Sequence, residues 1–313
     1  MEKAVSVHAR KQPGNRIRQG SQAVSLVLYT VAFFLGILTL YPLVFVLSNA
    51  ISDPVYSAAG KVWLFPIGFS LSAFEFVFEE PLVLRSFINS IVYTTGMVFA
   101  TVFVSMISGF GLSKKGLVFR KSITLYLLIP MWFSGGLIPS FINMTRLGLY
   151  NNLLAVFLPA VFNLYHIILA RTFIVRLPSA LLEAAALDGA TVPGIFFRVV
   201  IPLSKPIIAV LALYTALGVW NEWFPYLIYL PSKDDLHPLA FYLVKILQKE
   251  AAVLNPGSIP TTIDGVVDQQ RLHQIMTQLK YATIVITTLP IMCLYPFAQK
   301  HFVQGVMLGS LKE

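Results

Sequence analysis

Six long apolar runs, separated by segments in which charges, prolines and glycines collect, set the pattern of this chain. They fall at about 24–48, 86–112, 122–143, 152–174, 205–230 and 279–298. Each has the roughly 20 residues that a helix needs to cross a bilayer. The pattern predicts an all-α integral membrane protein with six transmembrane helices. Pro42, Pro130, Pro139, Pro159, Pro225, Pro290 and Pro296 lie inside or near the span ends. Membrane helices tolerate proline because neighbouring helices and local backbone adjustments satisfy the freed carbonyls. Of the intervening segments, 49–84 is irregular and aromatic, whereas 231–278 is long and broken by Pro and Gly. Within the latter, Leu239 to Leu247 reads as a short amphipathic helix.

Composition agrees with this reading. The 313 residues are 57% hydrophobic and 12% charged, with a mean hydropathy of +0.75; soluble domains carry roughly 45–50% apolar and about 25% charged residues. The net charge of +9 reports topology, not nucleic-acid binding. If the N-terminus is inside, the inner segments hold 15 of the 23 Lys and Arg residues but only Glu2, Glu183, Asp188 and Glu313 among the acids. The positive-inside rule then gives N-in, C-in. The expected organisation is a basic cytoplasmic arm over 1–23 and a six-span domain over 24–313. That domain has a long outer loop at about 231–278 and a cytoplasmic tail at 299–313. The run after the arm exceeds the 7–15 residues of a signal-peptide core, so an uncleaved first span is expected. Cys293, the single cysteine, allows no disulfide, belongs to no metal-ligand cluster and is expected to be inert packing.

The segment at about 175–204, between spans four and five, reads as helix, turn, helix. Pro178 suits a first helical turn, and Ser179 to Leu187 are helix formers with a flat Ala face. Gly189 suits the left-handed residue that ends many helices. Thr191 can cap a second short helix containing Pro193, and Pro202 is expected to stop that helix and redirect the chain. Glu183, Ala184 and Ala185, then Gly189, then Val199, Ile201 and Pro202 together resemble the coupling-loop signature of ATP-binding-cassette importer permeases. The departures, Val199 and Ile201 where the pattern favours Ile and Leu, are conservative. The likeness extends from about residue 24 to the end. It includes Trp220-Asn221-Glu222-Trp223 and the tail Phe302 to Gly309, both similar to the carbohydrate-uptake branch and to the second permease of maltose-type and polysaccharide-fragment importers.

The resemblance implies one half of a heterodimeric pore for carbohydrate, most specifically oligosaccharide and possibly acidic polysaccharide fragments, in a bacterial cytoplasmic membrane. Its implied partners are a second six-span permease subunit, two copies of a cytoplasmic ATPase, an extracytoplasmic solute-binding protein, membrane lipid and the carbohydrate itself. It implies that Glu183, Ala184, Ala185, Asp188, Gly189 and Pro202 form the ATPase-coupling loop, which moves as a rigid unit when the ATPases close. Gly305 and Gly309 would be tail contacts. No cofactor is implied for this chain, with ATP and Mg held by the ATPase subunits.

The residues themselves argue against other chemistry. No Gly-x4-Gly-Lys-Ser/Thr run is present to cradle phosphates; Gly109-Phe110-Gly111 before Lys114-Lys115 is only a faint imitation at a span end. Ser134-Gly135-Gly136 with His166 does not make the Ser and His pair of an intramembrane protease. An ion-coupled secondary carrier of a small polar solute is the alternative, because such carriers bury ionisable groups in spans. Glu222 and His166 are its only support. Polar and aromatic groups within the spans are candidates to line a substrate pathway: Asn143, Asn163, Tyr165, His166, Trp220, Asn221, Glu222, Trp223 and Tyr226. Stacking rings beside amides suit a sugar, while interhelical hydrogen bonding and interfacial anchoring are the structural alternatives.

Overall fold

A computed structural model describes residues 14–253 and 263–310 of the chain. The start of the basic arm, the centre of the long outer loop and the last three residues lie outside the described residues. Among the described residues the secondary structure is helical, apart from one isolated bridge between Ser52 and Phe69.

The first helix, α1 (Gly14–Ala50), is apolar on every side and exposed from Val24 to Val44 except at Gly36. Within Val24–Ala50 only the last turn is buried. There Ser48 Oγ donates to the Leu64 carbonyl at 2.7 Å and Asn49 Nδ2 donates to the Val62 carbonyl at 3.3 Å, which folds the irregular segment back under the helix end. Two short helices follow, α2 (Pro54–Ala58), capped by the Asp53 carboxylate, and α3 (Ser72–Glu79).

The central element is α4 (Pro81–Ser113). Its buried stripe of Ser86, Ser90, Thr94, Met97, Thr101 and Ser105 recurs at helical spacing. Small side chains of this kind let membrane helices approach closely. The approach is tightest at Gly109. A β-carbon there would lie 2.7 Å from the Arg171 nitrogen and 2.9 Å from the Ala170 β-carbon. Against α4 pack α7 (Leu154–Val161) with α8 (Leu164–Val175), and α12 (Lys205–Asn221). Between them run α9 (Ser179–Leu187), α10 (Val192–Ile195), a π-helical turn (Phe196–Val200) and α11 (Ile201–Leu203). The remaining helices are α5 (Arg120–Trp132), α6 (Leu137–Arg146), α13 (Phe224–Tyr229), α14 (Leu239–Val253) and α15 (Ile263–Ser310).

Four stretches are long and apolar enough to cross a membrane: Val24–Ala50, Pro81–Ser113, Leu154–Val175 and Gln270–Cys293. Two further candidates are bent pairs. Arg120–Trp132 meets Leu137–Arg146 at 116°, and Val192–Leu203 meets Lys205–Asn221 at 80°. All six apolar runs therefore fall in helical regions, but that at 152–174 is divided between α7 and α8, and those at 122–143 and 205–230 are not single helices either. Of the latter two, the first bends at Gly136, whose φ of 88° is open to glycine at no steric cost. The second breaks at Glu222 and Trp223, ahead of Pro225. The long segment 231–278 is also largely helical: α14 holds the expected amphipathic helix, and α15 begins well before the sixth apolar run. Cys293 is exposed on α15 rather than packed in the core.

Candidate functional site

The helix–turn–helix predicted between spans four and five is present. Pro178 sits one residue ahead of α9 as its N-cap. At the other end, Gly189 N–H donates to Ala186 O at 3.1 Å and Ala190 N–H to Ala185 O at 3.0 Å, with Gly189 at φ 80°. These paired bonds form a Schellman termination, which satisfies carbonyls that the helix end would otherwise leave open. Thr191 then caps α10 through a 3.3 Å bond from Gly194 N–H to its hydroxyl. Leu182 and Ala185 pack on the core of Met106, Phe110, Ile174, Phe196 and Leu211, while Glu183, Ala184, Asp188 and Gly189 are exposed. The alanines thus divide, Ala185 facing the chain's own core and Ala184 facing away from it. Leu187, which the sequence reading passed over, is 89% exposed and is the most prominent apolar group on this helix. A leucine between the small Ala186 and a helix-ending Asp-Gly was the available signal.

Pro202 does not stop the second helix. The helical path runs through it to Leu203 and turns at Ser204 (φ −96°, ψ 10°). The physical cause is Pro206, in the first turn of α12. Its ring meets the carbonyl four residues earlier, that of Pro202, and it has no N–H to give.

Four of the nine pathway candidates converge. Asn163, His166, Glu222 and Tyr226 line one cavity of about 220 Å³, together with Thr101, Tyr214, Thr215 and Gly218. Two helix breaks meet at this cavity. The break between α7 and α8 places Asn163 as N-cap of α8, its side-chain oxygen accepting the His166 N–H at 3.1 Å. The break after α12 leaves Glu222 in extended backbone. Irregular backbone at membrane depth is tolerated where it is buried or lines a cavity. His166 is buried, with Nδ1 3.4 Å from the Thr215 hydroxyl. Thr101 is buried, and its hydroxyl has no hydrogen-bond partner among the described residues. Thr101, Tyr214 and Thr215 carry no signal in the sequence, because their placement depends on how α4 and α12 face each other, which no local pattern records.

The other candidates go elsewhere. Trp220 is buried and donates its indole N–H to the Thr287 carbonyl at 2.9 Å. Trp223 packs on the apolar cluster of Tyr226 and Tyr229 but is not part of the cavity lining. Because α12 ends at Asn221, the two tryptophans do not share a helical face. Asn221 is exposed and returns its amide to Leu217 O at 2.8 Å. Tyr165 and Asn143 are exposed, the latter on α6. Gly305 and Gly309 belong to the helical run of α15.

A second cavity, of about 450 Å³, lies between α4 and α14 and includes Asp234, His237, Tyr242 and Lys245. One face of α4 holds the segment leading into it. Arg85 pairs with Asp235 at 3.0 Å, Asn89 Nδ2 donates to the carbonyls of Asp235 and His237, and Tyr93 donates to that of Leu236. His237 is buried, with Nε2 2.8 Å from the Leu230 carbonyl and Nδ1 3.4 Å from Asp234. Burial outweighs both contacts and lowers its pKa. The hydrogen bond from Lys245 at 2.6 Å holds the Asp234 carboxyl below its ordinary pKa.

A helical membrane bundle with broken spans around a polar cavity, and one capped helix turned outward, has the form of a transport subunit. No family model matches the chain. Protein LplC of Bacillus subtilis (strain 168) is 33% identical over 277 residues, spanning 88% of this chain and 90% of that protein. The polygalacturonan/rhamnogalacturonan transport system permease protein YtcP of the same organism is 29% identical over 289 residues, 92% of this chain and 97% of that one. Among solved structures, a chain of a bacterial ABC transporter involved in the import of the acidic polysaccharide alginate superposes with a TM-score of 0.76. It is 29% identical, and the match covers 94% of this chain and all of that one. The chain belongs to the permease subunits of the carbohydrate-importing ATP-binding-cassette transporters.

Proposed function

We propose that this chain forms half of a heterodimeric pore in a bacterial cytoplasmic membrane and imports acidic oligosaccharide. In this reading each bent pair counts as one span, giving six, with both termini inside. Two copies of a cytoplasmic ATPase engage α9 and carry the ATP and Mg, while an extracytoplasmic binding protein delivers the sugar. The chain takes the place of the second permease of the pair, and its tail, with Gly305 and Gly309, reaches the ATPase side.

The observation that carries the proposal is the division of α9 into two faces. Leu182 and Ala185 anchor it, while Glu183, Ala184, Leu187 and Asp188 are left for a partner. Moving a leucine of such exposure into a partner's cleft stabilises the contact by about 2 kcal/mol. The carboxylates of Glu183 and Asp188 add a charge for basic groups. The acidic character of the sugar is supported by the polygalacturonan/rhamnogalacturonan permease and the alginate importer to which this chain is similar. Asn163, His166 and Glu222 in one cavity supply hydrogen-bonding groups for part of its path.

The test is co-purification with a tagged chain. Wild type should retain an ATPase and a second permease. Leu187→Asp should release the ATPase and keep the second permease. Retention of the ATPase by Leu187→Asp, with normal uptake, would refute the docking role of α9.

A further inference from the structure

Where α4 ends, four cations gather without a carboxylate among them. Lys115, Arg120, Lys121 and Arg171 line a cavity of about 690 Å³. Arg120 and Arg171 come from different helices, α5 and α8, yet both donate Nε–H to the main-chain carbonyl of Leu112, at 3.0 and 3.3 Å. This carbonyl lies in the last turn of α4, where the helix dipole attracts cations. With each Nε so used, the outer guanidinium nitrogens are available to another acceptor. Among the described residues, none of the four cations is ion-paired with a carboxylate. Four like charges lining one cavity repel one another, and a bound anion would offset that cost.

The apolar part of the wall narrows the choice of anion. Leu125 and Leu128 carry the cavity lining onto α5, a helix none of whose residues is buried within the chain. Beside it, Phe119 is 76% exposed with φ 57°, so the loop presents a ring outward at the same level. A free phosphate would satisfy the cations and leave the leucines uncovered. A molecule with an anionic head and a hydrocarbon tail satisfies both. Basic pockets between membrane helices are suited to such headgroups.

We propose that Lys115, Arg120, Lys121 and Arg171 form a binding site for the phosphate headgroup of an anionic phospholipid, with an acyl chain lying along Leu125 and Leu128. The proposal rests on the chain spanning a membrane and not on the coupling role of α9.

The test uses the whole importer in nanodiscs of phosphatidylcholine, titrated with spin-labelled phosphatidylglycerol. Among the described residues Lys115 and Lys121 make no hydrogen bond or ion pair, so Lys115→Gln/Lys121→Gln removes charge and leaves the Leu112 contacts in place. Each cation lost at a membrane surface weakens binding about fivefold. The double variant should therefore hold phosphatidylglycerol roughly 20- to 30-fold more weakly, with phosphatidylcholine unaffected. Leu125→Asn should weaken lipid retention without changing competition by inorganic phosphate. Equal retention by wild type and the double variant would overturn the proposal. So would full displacement of the lipid by millimolar inorganic phosphate, or loss of a subunit from the double variant, which would make the cluster a protein contact.

Discussion

Trp220 is fastened through its indole N–H to the backbone carbonyl of Thr287, 2.9 Å away, joining α12 to α15. An aromatic side chain that the sequence offers as a sugar platform is thus spent on helix packing. Trp220→Phe keeps an aromatic ring and removes the donor, so the hydrogen bond between α12 and α15 is lost. It should cost about 1 kcal/mol, read as a lower thermal midpoint of the purified complex. Uptake per folded complex should be unchanged.

Filling the cavity should have the opposite signature. A β-carbon at Gly218 meets nothing within 4 Å, yet Gly218 lines the space beside Glu222 and Tyr226. Gly218→Val should leave stability within about 0.5 kcal/mol of wild type, as uncrowded substitutions do, read as an almost unchanged thermal midpoint. Uptake by reconstituted proteoliposomes should fall several-fold. Glu222→Gln, which removes a charge without changing shape, separates an electrostatic contribution from a steric one.

At the turn after α9, the strain of a side chain can be separated from its bulk. Gly189 is left-handed but its β-position is open, so the cost of Gly189→Val is conformational, about 1–2 kcal/mol. Gly189→Asn, a residue that tolerates this region, should keep most substrate-stimulated ATP hydrolysis. Gly189→Val should lose it while still inserting in the membrane. Equal loss in both variants would place the requirement in the glycine's size instead.

His237 gives a pH dependence with a defined sign. Its folded pKa is lowered by burial, so below the ordinary histidine range the unfolded state binds more protons and stability falls with pH. The loss begins as pH drops through about 6.5 and is absent above it. Asp234, held low by Lys245, adds its own loss only at much more acid pH, beneath the ordinary carboxylate range. The hydrogen-exchange protection of residues 234–242, corrected for the intrinsic exchange rate, should fall between pH 7 and 5 in wild type, and His237→Asn should remove that dependence.

Topology can be checked with single cysteines in a Cys293→Ser background. A label at Ser122 should react with an impermeant reagent only from the cytoplasm, and one at Gln248 only from outside.

Runs of apolar residues located the helices because hydropathy is a local property. They did not disclose the breaks at Asn163 and Glu222, where a span stays apolar while its backbone changes direction. In hindsight Pro159 followed by Asn163, a capping residue within an apolar run, marked the first break. Pro225 marked the second. The termination of α9 was legible in full, since Gly189 and Thr191 act on their neighbours. Which face of α9 is free was not, because that depends on Ile174, Phe196 and Leu211 arriving from other segments. The Arg85–Asp235 pair joins residues 150 positions apart and had no local signal.

The corner at Ser204 stands between the segment that follows α9 and the helix that reaches the cavity. The helical stretch leading from α9 meets α12 at 80°, so a push along one axis becomes a swing of the other, as at the elbow of a crank. The 17 residues of α12 make an arm of about 25 Å. A tilt of about 10° at the corner would carry its far end, where Glu222 borders the cavity, through an arc of roughly 4 Å. That is wider than a hydrogen bond is long, so under the proposed docking of α9 such a tilt would remake the polar contacts that Glu222 can offer.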